Sequence, residues 1–210
     1  MIVLGHRGVT DGSVAENTID AFAAARDRGA NGIETDLQLT KDKRLILFHN
    51  HYIGKKHLHE LTHEEINSRV GYKVPLLKDL IDWADKDFLL NIEIKNHEAI
   101  IEIVDEMKDY QDYNILISSF HHSTAFKVSK VIKADCAVLM GSRPVYIKQF
   151  FSMIPATVKY VIWPYQFYDS ACVDTFQFEN IVYDMGEIRP TKKMYIDGII
   201  SDHLDIHVKK

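Results

Sequence analysis

The chain of 210 residues has few of the features that mark secreted, membrane or nucleic-acid-binding proteins. It has only two cysteines, Cys136 and Cys172, both in apolar surroundings. We therefore expect buried reduced thiols, as in a cytoplasmic protein, and not a disulfide. No apolar run approaches the roughly 18 residues of a membrane span, and the apolar start is too short for a signal peptide. The net charge of −5, without a basic stripe, argues against nucleic acid as a partner.

Apolar, strand-like segments alternate with amphipathic, helix-like segments along the whole chain. The predicted strands are 2–5, 31–36, 88–94, 114–118, 136–140, 159–163, 180–184 and 197–201. The predicted helices are 17–28, 76–85, 97–109, 122–132, 143–152, 168–176 and 190–195. Strands separated by helices indicate parallel βαβ units, and eight such units predict a (β/α)₈ TIM barrel. No linker or shift in composition divides the chain, so we expect one domain over residues 1–210.

Residues 44–49 depart from this alternation because only four residues separate them from the second strand. A parallel crossover needs about a dozen residues, so the segment is predicted to return as an antiparallel hairpin. A two-residue loop pairs His49 with either Glu34 or Asp36, depending on whether the loop begins at position 41 or 42. Both registers place His49 on the carboxylate face, within about 5 Å between Cβ atoms of an acidic residue. A three-residue loop or a bulge would change this parity.

Three acidic residues end two of the predicted barrel strands. Glu34 and Asp36 stand at alternate positions, so both point to the same face. Glu93 ends the next barrel strand. Like charges at this separation repel unless a cation lies between them or one takes up a proton. Oxygen-rich sites of this kind suit Mg²⁺ or Ca²⁺, so the three residues are predicted to bind one divalent cation.

Basic residues stand at the ends of the first strand and of the strand that carries Glu93. Arg7 and Lys95 are positioned to neutralise charge on a phosphoryl group, and a metal ion would polarise one of its oxygens. His6 and His49 have ordinary pKa values near 6.5, so one can accept a proton while the other donates one. A histidine pair, two fixed cations and a metal site together predict phosphoryl chemistry.

These segments together resemble the glycerophosphodiester phosphodiesterase family, within the wider class of phospholipase C-like barrels. The resemblance rests on His6-Arg7-Gly8, Glu16-Asn17-Thr18, Gly32-Ile33-Glu34-Thr35-Asp36, the His49 segment, Asn91-Ile92-Glu93-Ile94-Lys95, Ser118-Ser119-Phe120 and Asp197-Gly198-Ile199-Ile200-Ser201-Asp202. It implies a divalent metal on Glu34, Asp36 and Glu93, with His6 and His49 as the acid–base pair. It also implies a small glycerophosphodiester substrate, cleaved to sn-glycerol 3-phosphate and an alcohol. The neighbouring glycerol hydroxyl would attack first and give a cyclic phosphate that water opens.

Three segments differ from the pattern of that family. Asn50 replaces the aspartate that usually follows the second histidine, and Tyr183-Asp184-Met185-Gly186 replaces a tryptophan-containing segment. The usual insertion is shortened to residues 51–75, whose His57, His59 and His63 are expected to be solvent-exposed. Two alternative functions stay open: a lysophospholipase D-type phosphodiesterase, and a barrel that binds a phosphorylated ligand without turnover.

Overall fold

The computed structural model describes residues 1–169 and 177–208, and its largest sheet closes into a barrel. Eight parallel strands form the ring, in the order β1, β11, β10, β9, β8, β7, β6, β2, with β2 pairing again with β1. Their bounds are β1 Ile2–His6, β2 Gly32–Leu39, β6 Leu89–Ile94, β7 Ile115–Ser119, β8 Asp135–Leu139, β9 Tyr160–Pro164, β10 Glu179–Tyr183 and β11 Gly198–Ser201. The predicted TIM barrel is therefore confirmed, and seven of its eight strands begin and end within two residues of their predicted bounds. The second strand runs three residues further than predicted.

Helices pack around the ring at most of the predicted positions. They are α1 Ile19–Asp27, α2 His63–Val70, α3 Leu77–Trp83, α4 Ile100–Met107, α5 His122–Ile132, α6 Ile147–Ser152 and α7 Leu204–His207. The short helix α2 is not among the predicted helices between the barrel strands; Thr62 caps it and exchanges hydrogen bonds with Glu65. The predicted helix 190–195 is a short 3₁₀ turn, Lys192–Met194. The predicted helix 168–176 and Cys172 fall largely or wholly outside the described residues.

Two apolar layers hold the barrel together. Inside the ring, inward-facing side chains such as Leu4, Leu116 and Ile162 fill the lower part of the barrel. Outside it, a larger cluster packs the opposite strand faces against the helices and includes Phe22, Trp163 and the reduced, buried Cys136. Among the described residues, no helix combines the length and the apolar character needed to cross a membrane.

The hairpin after β2 forms as predicted, but in a register that differs from both alternatives. Strand β3, Leu45–Leu47, pairs antiparallel with β2 so that Leu37 faces Leu47 and Leu39 faces Leu45. The loop has three residues, and its last one, Lys43, has a left-handed backbone with φ of 61°. Thr40 accepts from the amides of Lys43 and Arg44 and so stabilises this turn. Neither Glu34 nor Asp36 is therefore the ladder partner of His49, because the extra loop residue shifts the register by one.

A small two-stranded hairpin lies beyond β3 and covers part of the barrel mouth. It consists of β4 Tyr52–Ile53 and β5 Lys56–His57. Below it, Leu58, Leu61 and Ile66 pack against Ile46 in a separate buried cluster. This packing fixes the hairpin and α2 as a short cap on one side of the mouth.

Candidate active site

The carboxyl ends of three neighbouring strands place the predicted residues side by side. Glu34 of β2 lies in register with His6 of β1, and Asp36 lies in register with Glu93 of β6. Parallel strands that pair in the ring end at the same face of the barrel, where catalytic groups of this fold are found. The sequence spacing therefore becomes a spatial cluster.

Glu34, Asp36 and Glu93 form a buried acidic triad. They are 5%, 1% and 8% exposed, and one carboxylate oxygen of each lies within 4.8 Å of the others. Burial and repulsion from Asp36 raise the pKa of Glu34 to about 8, and the same causes raise the pKa of Glu93. Without a further cation, at least one carboxylate therefore holds a proton near neutral pH. A set of three buried carboxylates that offers only oxygen ligands fits a hard divalent cation such as Mg²⁺ or Ca²⁺.

Two cationic side chains flank the triad. Lys95 Nζ lies 3.0 Å from Asp36 Oδ1 and 3.3 Å from Glu93 Oε1. Arg7 Nε lies 3.3 Å from Asp36 Oδ2, while its Nη1 donates to Glu16 Oε2 over 3.0 Å. Burial alone would raise the pKa of Asp36. This effect is outweighed by the positive charges of Lys95 and Arg7 and by the hydrogen bond from Asn17, which together lower the pKa, so this carboxylate stays ionised.

A tight turn after β1 positions Arg7. Its backbone is left-handed, with φ of 54°, and Gly8 follows with φ of 85°. A Cβ atom at Gly8 would lie 2.5 Å from the backbone of Ala21, so only glycine fits against helix α1 there. The Gly that follows His6-Arg7 in the sequence is thus explained by its close approach to the helix.

His6 is held by a carboxylate from the other end of the chain. Its Nδ1 lies 2.9 Å from Asp202 Oδ1, and Thr10 Oγ1 donates to the same oxygen over 2.7 Å. Its Nε2 lies 3.9 Å from Glu34 Oε2. Burial lowers the pKa of His6, but Asp202 and Glu34 outweigh it and raise the pKa to about 9.

His49 reaches the site from the segment after β3. Gln38 holds this segment, since its amide Nε2 lies 2.6, 3.2 and 3.1 Å from the carbonyl oxygens of Phe48, His49 and Asn50. The Nδ1 atom of His49 lies 3.2 Å from Asn50 Oδ1. Burial lowers the pKa of His49, and Arg7 and Lys95 lower it further against the opposing charge of Asp36. His6 and His49 therefore have opposite pKa shifts.

Asn17 is a buried residue of the site to which the sequence analysis gave no role. It is 1% exposed, donates from Nδ2 to Asp36 Oδ2 over 2.9 Å, and accepts from Thr35 Oγ1 over 2.6 Å. Its backbone is also left-handed, with φ of 55°. The signal for it was its place in Glu16-Asn17-Thr18, one of the segments on which the family resemblance rests.

Asn91 is a second residue without an assigned role. It shares the inward face of β6 with Glu93, and its Oδ1 accepts from Ser118 Oγ over 2.9 Å. Its Nδ2 is one of the buried side-chain polar atoms, among described residues, that have no hydrogen-bond partner. Asn91 lines the same cavity as Arg7, so this amide is a donor available there for an anionic ligand.

The site opens into one cavity of about 210 Å³, which we call the mouth pocket. Six of the seven predicted site residues line it, and the seventh, Asp36, contacts two of them. The other lining residues include Phe120, Tyr183 and Asp184, so the segment that replaces the family's tryptophan reaches the pocket. The lining residues from the predicted set are His6, Arg7, Glu34, His49, Glu93 and Lys95.

Comparisons with known sequences point to one family. A model of the glycerophosphoryl diester phosphodiesterase family matches residues 6–184. The chain is 31% identical to the uncharacterized protein YqiK of Bacillus subtilis, over 74% of this chain and 73% of that protein. It is 36% identical to a glycerophosphodiester phosphodiesterase of Caldanaerobacter subterraneus, over 62% of each. The chain thus spans less than two thirds of that second relative.

Solved structures share the whole architecture. The barrel superposes on a glycerophosphodiester phosphodiesterase from Thermotoga maritima with a TM-score of 0.81 and 25% identity, covering 98% of this chain and 96% of that one. A phosphodiesterase from Oleispira antarctica, solved in complex with the product sn-glycerol-3-phosphate, has the same fold, with a TM-score of 0.79, 19% identity and coverage of 98% and 95%. Because the family model covers most of the chain and the mouth of the barrel carries the expected cluster, the protein belongs to the glycerophosphoryl diester phosphodiesterase family.

Proposed function

We propose that the protein hydrolyses glycerophosphodiesters to sn-glycerol 3-phosphate and an alcohol, with the help of a divalent metal ion. One observation supports this above the others: three buried carboxylates, two imidazoles and two fixed cations meet at one barrel mouth. The relatives named as glycerophosphodiester phosphodiesterases, and the product-bound Oleispira structure, support the choice of substrate class. We further propose one catalytic domain over residues 1–210, located in the cytoplasm.

Glu34, Asp36 and Glu93 would hold the metal ion, Mg²⁺ or Ca²⁺. When bound, such an ion polarises a phosphoryl oxygen and offsets the charge that develops in the transition state. The carboxylates are buried and preformed, so little rearrangement is needed to bind a cation. Asn17 and Lys95 keep Asp36 ionised and oriented for this role.

The phosphate is bound by donors on the walls of the mouth pocket. Arg7 and Lys95 supply fixed positive charge, and the unpartnered Nδ2 of Asn91 supplies a neutral donor. A substrate oxygen would satisfy that donor, whose isolation in a buried site is unfavourable by roughly 1–3 kcal/mol. These groups orient the diester relative to the two histidines.

His6 and His49 exchange the protons of the reaction. Asp202 fixes the orientation of His6 through Nδ1, which leaves Nε2 to face the pocket beside Glu34. One histidine accepts the proton of the attacking hydroxyl as the new P–O bond forms. The other donates a proton to the departing alcohol oxygen as the old P–O bond breaks. Each transfer is typically worth ~10²–10⁴-fold in rate.

The test is release of sn-glycerol 3-phosphate from glycerophosphocholine and glycerophosphoethanolamine, with and without chelator. We expect turnover that chelator abolishes and that Mg²⁺ or Ca²⁺ restores. His6→Ala and His49→Ala should each lower kcat by ~10²–10⁴-fold. Glu34→Gln, which removes one charge from the acidic triad, should lower turnover, whereas the matched control Glu64→Gln, at an exposed acidic residue of α2, should retain full activity.

Different outcomes would overturn different parts of the proposal. Turnover that ignores chelator would exclude the metal mechanism, and unchanged turnover in His6→Ala or His49→Ala would exclude that residue's role. Preference for lysophosphatidylcholine over both diesters would identify a lysophospholipase D-type enzyme. Binding of glycerol 3-phosphate without turnover of any diester would identify a non-catalytic barrel.

A further inference from the structure

Five of the eleven histidines line a second cleft of about 430 Å³, beside the mouth pocket. They come from three segments: the hairpin β4–β5 with its flanks, the loop after β6 and the loop after β7. We call this region the histidine cleft and define it by His51, His57, His59, His97 and His121. His57 and His59 had been expected only to be solvent-exposed, and the fold brings all five histidines to one surface.

The imidazole rings form two contacting groups. The ring centroids of His57 and His59 lie 4.0 Å apart, and those of His97 and His121 lie 4.5 Å apart. The Tyr52 ring lies edge-on to His57 at 4.7 Å. No three of these imidazoles bring ring nitrogens within 4.8 Å of one another, since among the described residues only the acidic triad meets that condition. The cleft is therefore an aromatic, polar surface and not a preformed metal site.

The cleft and the mouth pocket share Lys95, which lines both. The mouth pocket alone, at about 210 Å³, lies below the ~300–1,000 Å³ of typical small-molecule sites. A diester whose phosphate contacts Lys95 would therefore extend one of its two arms out of the pocket. The histidine cleft begins at the same lysine and offers that space.

The chemistry of the cleft suits hydroxyl groups. A neutral imidazole has one donor and one acceptor nitrogen, as a hydroxyl group has one donor and an acceptor oxygen. Burial, then Lys95 and His57, lower the pKa of His51, and burial, then His59, lower the pKa of His57, so both rings are neutral at pH 7. The charged groups that act on these rings are Lys95, Glu98 and Glu60, and Asp36 also acts on His51.

A cationic alcohol group would be better accommodated on the opposite side of the mouth pocket, where carboxylates line another cavity. A cavity of about 250 Å³ there is lined by two carboxylates, Asp184 and Asp202. That cavity shares Asp184 and Ile200 with the mouth pocket, but neither phosphate-binding cation, Arg7 or Lys95. Continuity through Lys95 therefore favours the histidine cleft as the path of the esterified alcohol.

We propose that the histidine cleft binds the alcohol arm of the substrate and favours a polyhydroxylated alcohol over a quaternary ammonium alcohol. The proposal rests on the phosphodiesterase function above and specifies its substrate class. Several imidazoles offer hydrogen bonds to successive hydroxyl groups, whereas a trimethylammonium group can accept or donate none. The contacting rings also supply aromatic surface against a sugar-like ring.

The experiment compares kcat/KM for glycerophosphoinositol and glycerophosphocholine. The wild-type protein should prefer the inositol compound. The double variants His57→Ala/His59→Ala and His97→Ala/His121→Ala should each lose about 3–10-fold in kcat/KM for it, mainly through KM, as expected for lost neutral hydrogen bonds. Their kcat/KM for the choline compound should stay within about twofold of wild type, since no hydrogen bond to that headgroup is lost.

His63→Gln is the control, because His63 lies on α2 and its Nε2 contacts the Val74 carbonyl at 2.7 Å, outside the cleft. It should leave the preference unchanged. Preference for the choline compound, or equal preference in every variant, would overturn the cleft's role while leaving the phosphodiesterase function intact.

A second measurement does not depend on turnover. The histidine ring signals of the wild-type protein are followed by NMR during titration with myo-inositol and, separately, with choline. Shifts of the cleft histidines with inositol alone support the proposal even if neither diester is hydrolysed. Absence of any shift with inositol, or larger shifts with choline, contradicts it.

Discussion

The contact between His6 and Asp202 predicts how the metal-free protein takes up protons. Replacing Asp202 by asparagine keeps the size of the side chain and removes its charge. Because Asp202 and Glu34 together raise the pKa of His6 to about 9 against the effect of burial, the variant should have a markedly lower His6 pKa. The change isolates one of the two negative neighbours of this imidazole.

The magnitude follows from the geometry. The Nδ1 to Oδ1 distance of 2.9 Å is that of a hydrogen bond between charged groups, which contributes ~1.5–3 kcal/mol. One pKa unit corresponds to about 1.36 kcal/mol, so the pKa of His6 should fall by about 1–2 units in Asp202→Asn. Glu34, with Oε2 at 3.9 Å from Nε2, would retain part of the elevation.

The assay is an NMR titration of the His6 ring in chelator-treated protein, for wild type, Asp202→Asn and the control Asp205→Asn. Asp205 is an exposed carboxylate on α7 that pairs with Arg28, so its removal should leave His6 unaffected. Adding Mg²⁺ to the wild type should also lower the pKa of His6, because a cation at the acidic triad offsets the charge of Glu34. A wild-type pKa near the ordinary 6.5, or an unchanged value in Asp202→Asn, would refute the reasoning.

Three further predictions concern the supports of the site. The metal-free protein should lose stability as the pH rises from about 4.5 to about 8, because folding raises the pKa of Glu34 from 4.5 to about 8 and so favours its protonated form. The Tm should therefore fall over this pH range and recover when Mg²⁺ is added. A Tm that does not change with pH would contradict the close approach of the three carboxylates. Asn17→Ala should lower the free energy of unfolding by about 1–3 kcal/mol in urea titrations, because Asp36 loses a hydrogen bond. Asn17→Gly is the control: glycine tolerates the left-handed backbone at this position, so this variant loses the hydrogen bond without adding backbone strain. Gln38→Leu should lower kcat by up to ~10²-fold, because His49 is misplaced, and should leave the pKa of His6 unchanged. Full activity would show that the contacts of Gln38 with the carbonyl groups of Phe48, His49 and Asn50 do not position His49.

The sequence was sufficient to predict the barrel and the cluster at its mouth. Eight apolar strands that alternate with amphipathic helices commonly close into a TIM barrel, and the carboxyl ends of its parallel strands lie on one face. Glu34, Asp36 and Glu93 could therefore be placed together from their positions at strand ends alone. Arg7 and Lys95 could be placed beside them because they follow the neighbouring strand β1 and the shared strand β6.

Contacts that depend on loop geometry or on distant segments were not predictable in this way. The register of the β2–β3 hairpin depends on one left-handed residue, Lys43, which has no strong sequence preference for that conformation. His49 reaches the site although the predicted hairpin register was wrong, because the side chain of Gln38 holds the segment after β3. Nothing in the sequence distinguishes Gln38 from other polar residues, so this role could not be predicted. The pairing of His6 with Asp202 spans 196 positions and becomes evident only when the ring closes.

This last contact links the chemistry of the protein to the order in which its chain is made. His6 is synthesised well before Asp202, the carboxylate that holds its ring. Strand β11, which pairs with β1 through Ile2 and Gly198, must be in place before the two residues can meet. A chain synthesised only as far as β6 already contains Glu34, Asp36 and Glu93, whereas His6 stays without its carboxylate partner until β11 docks.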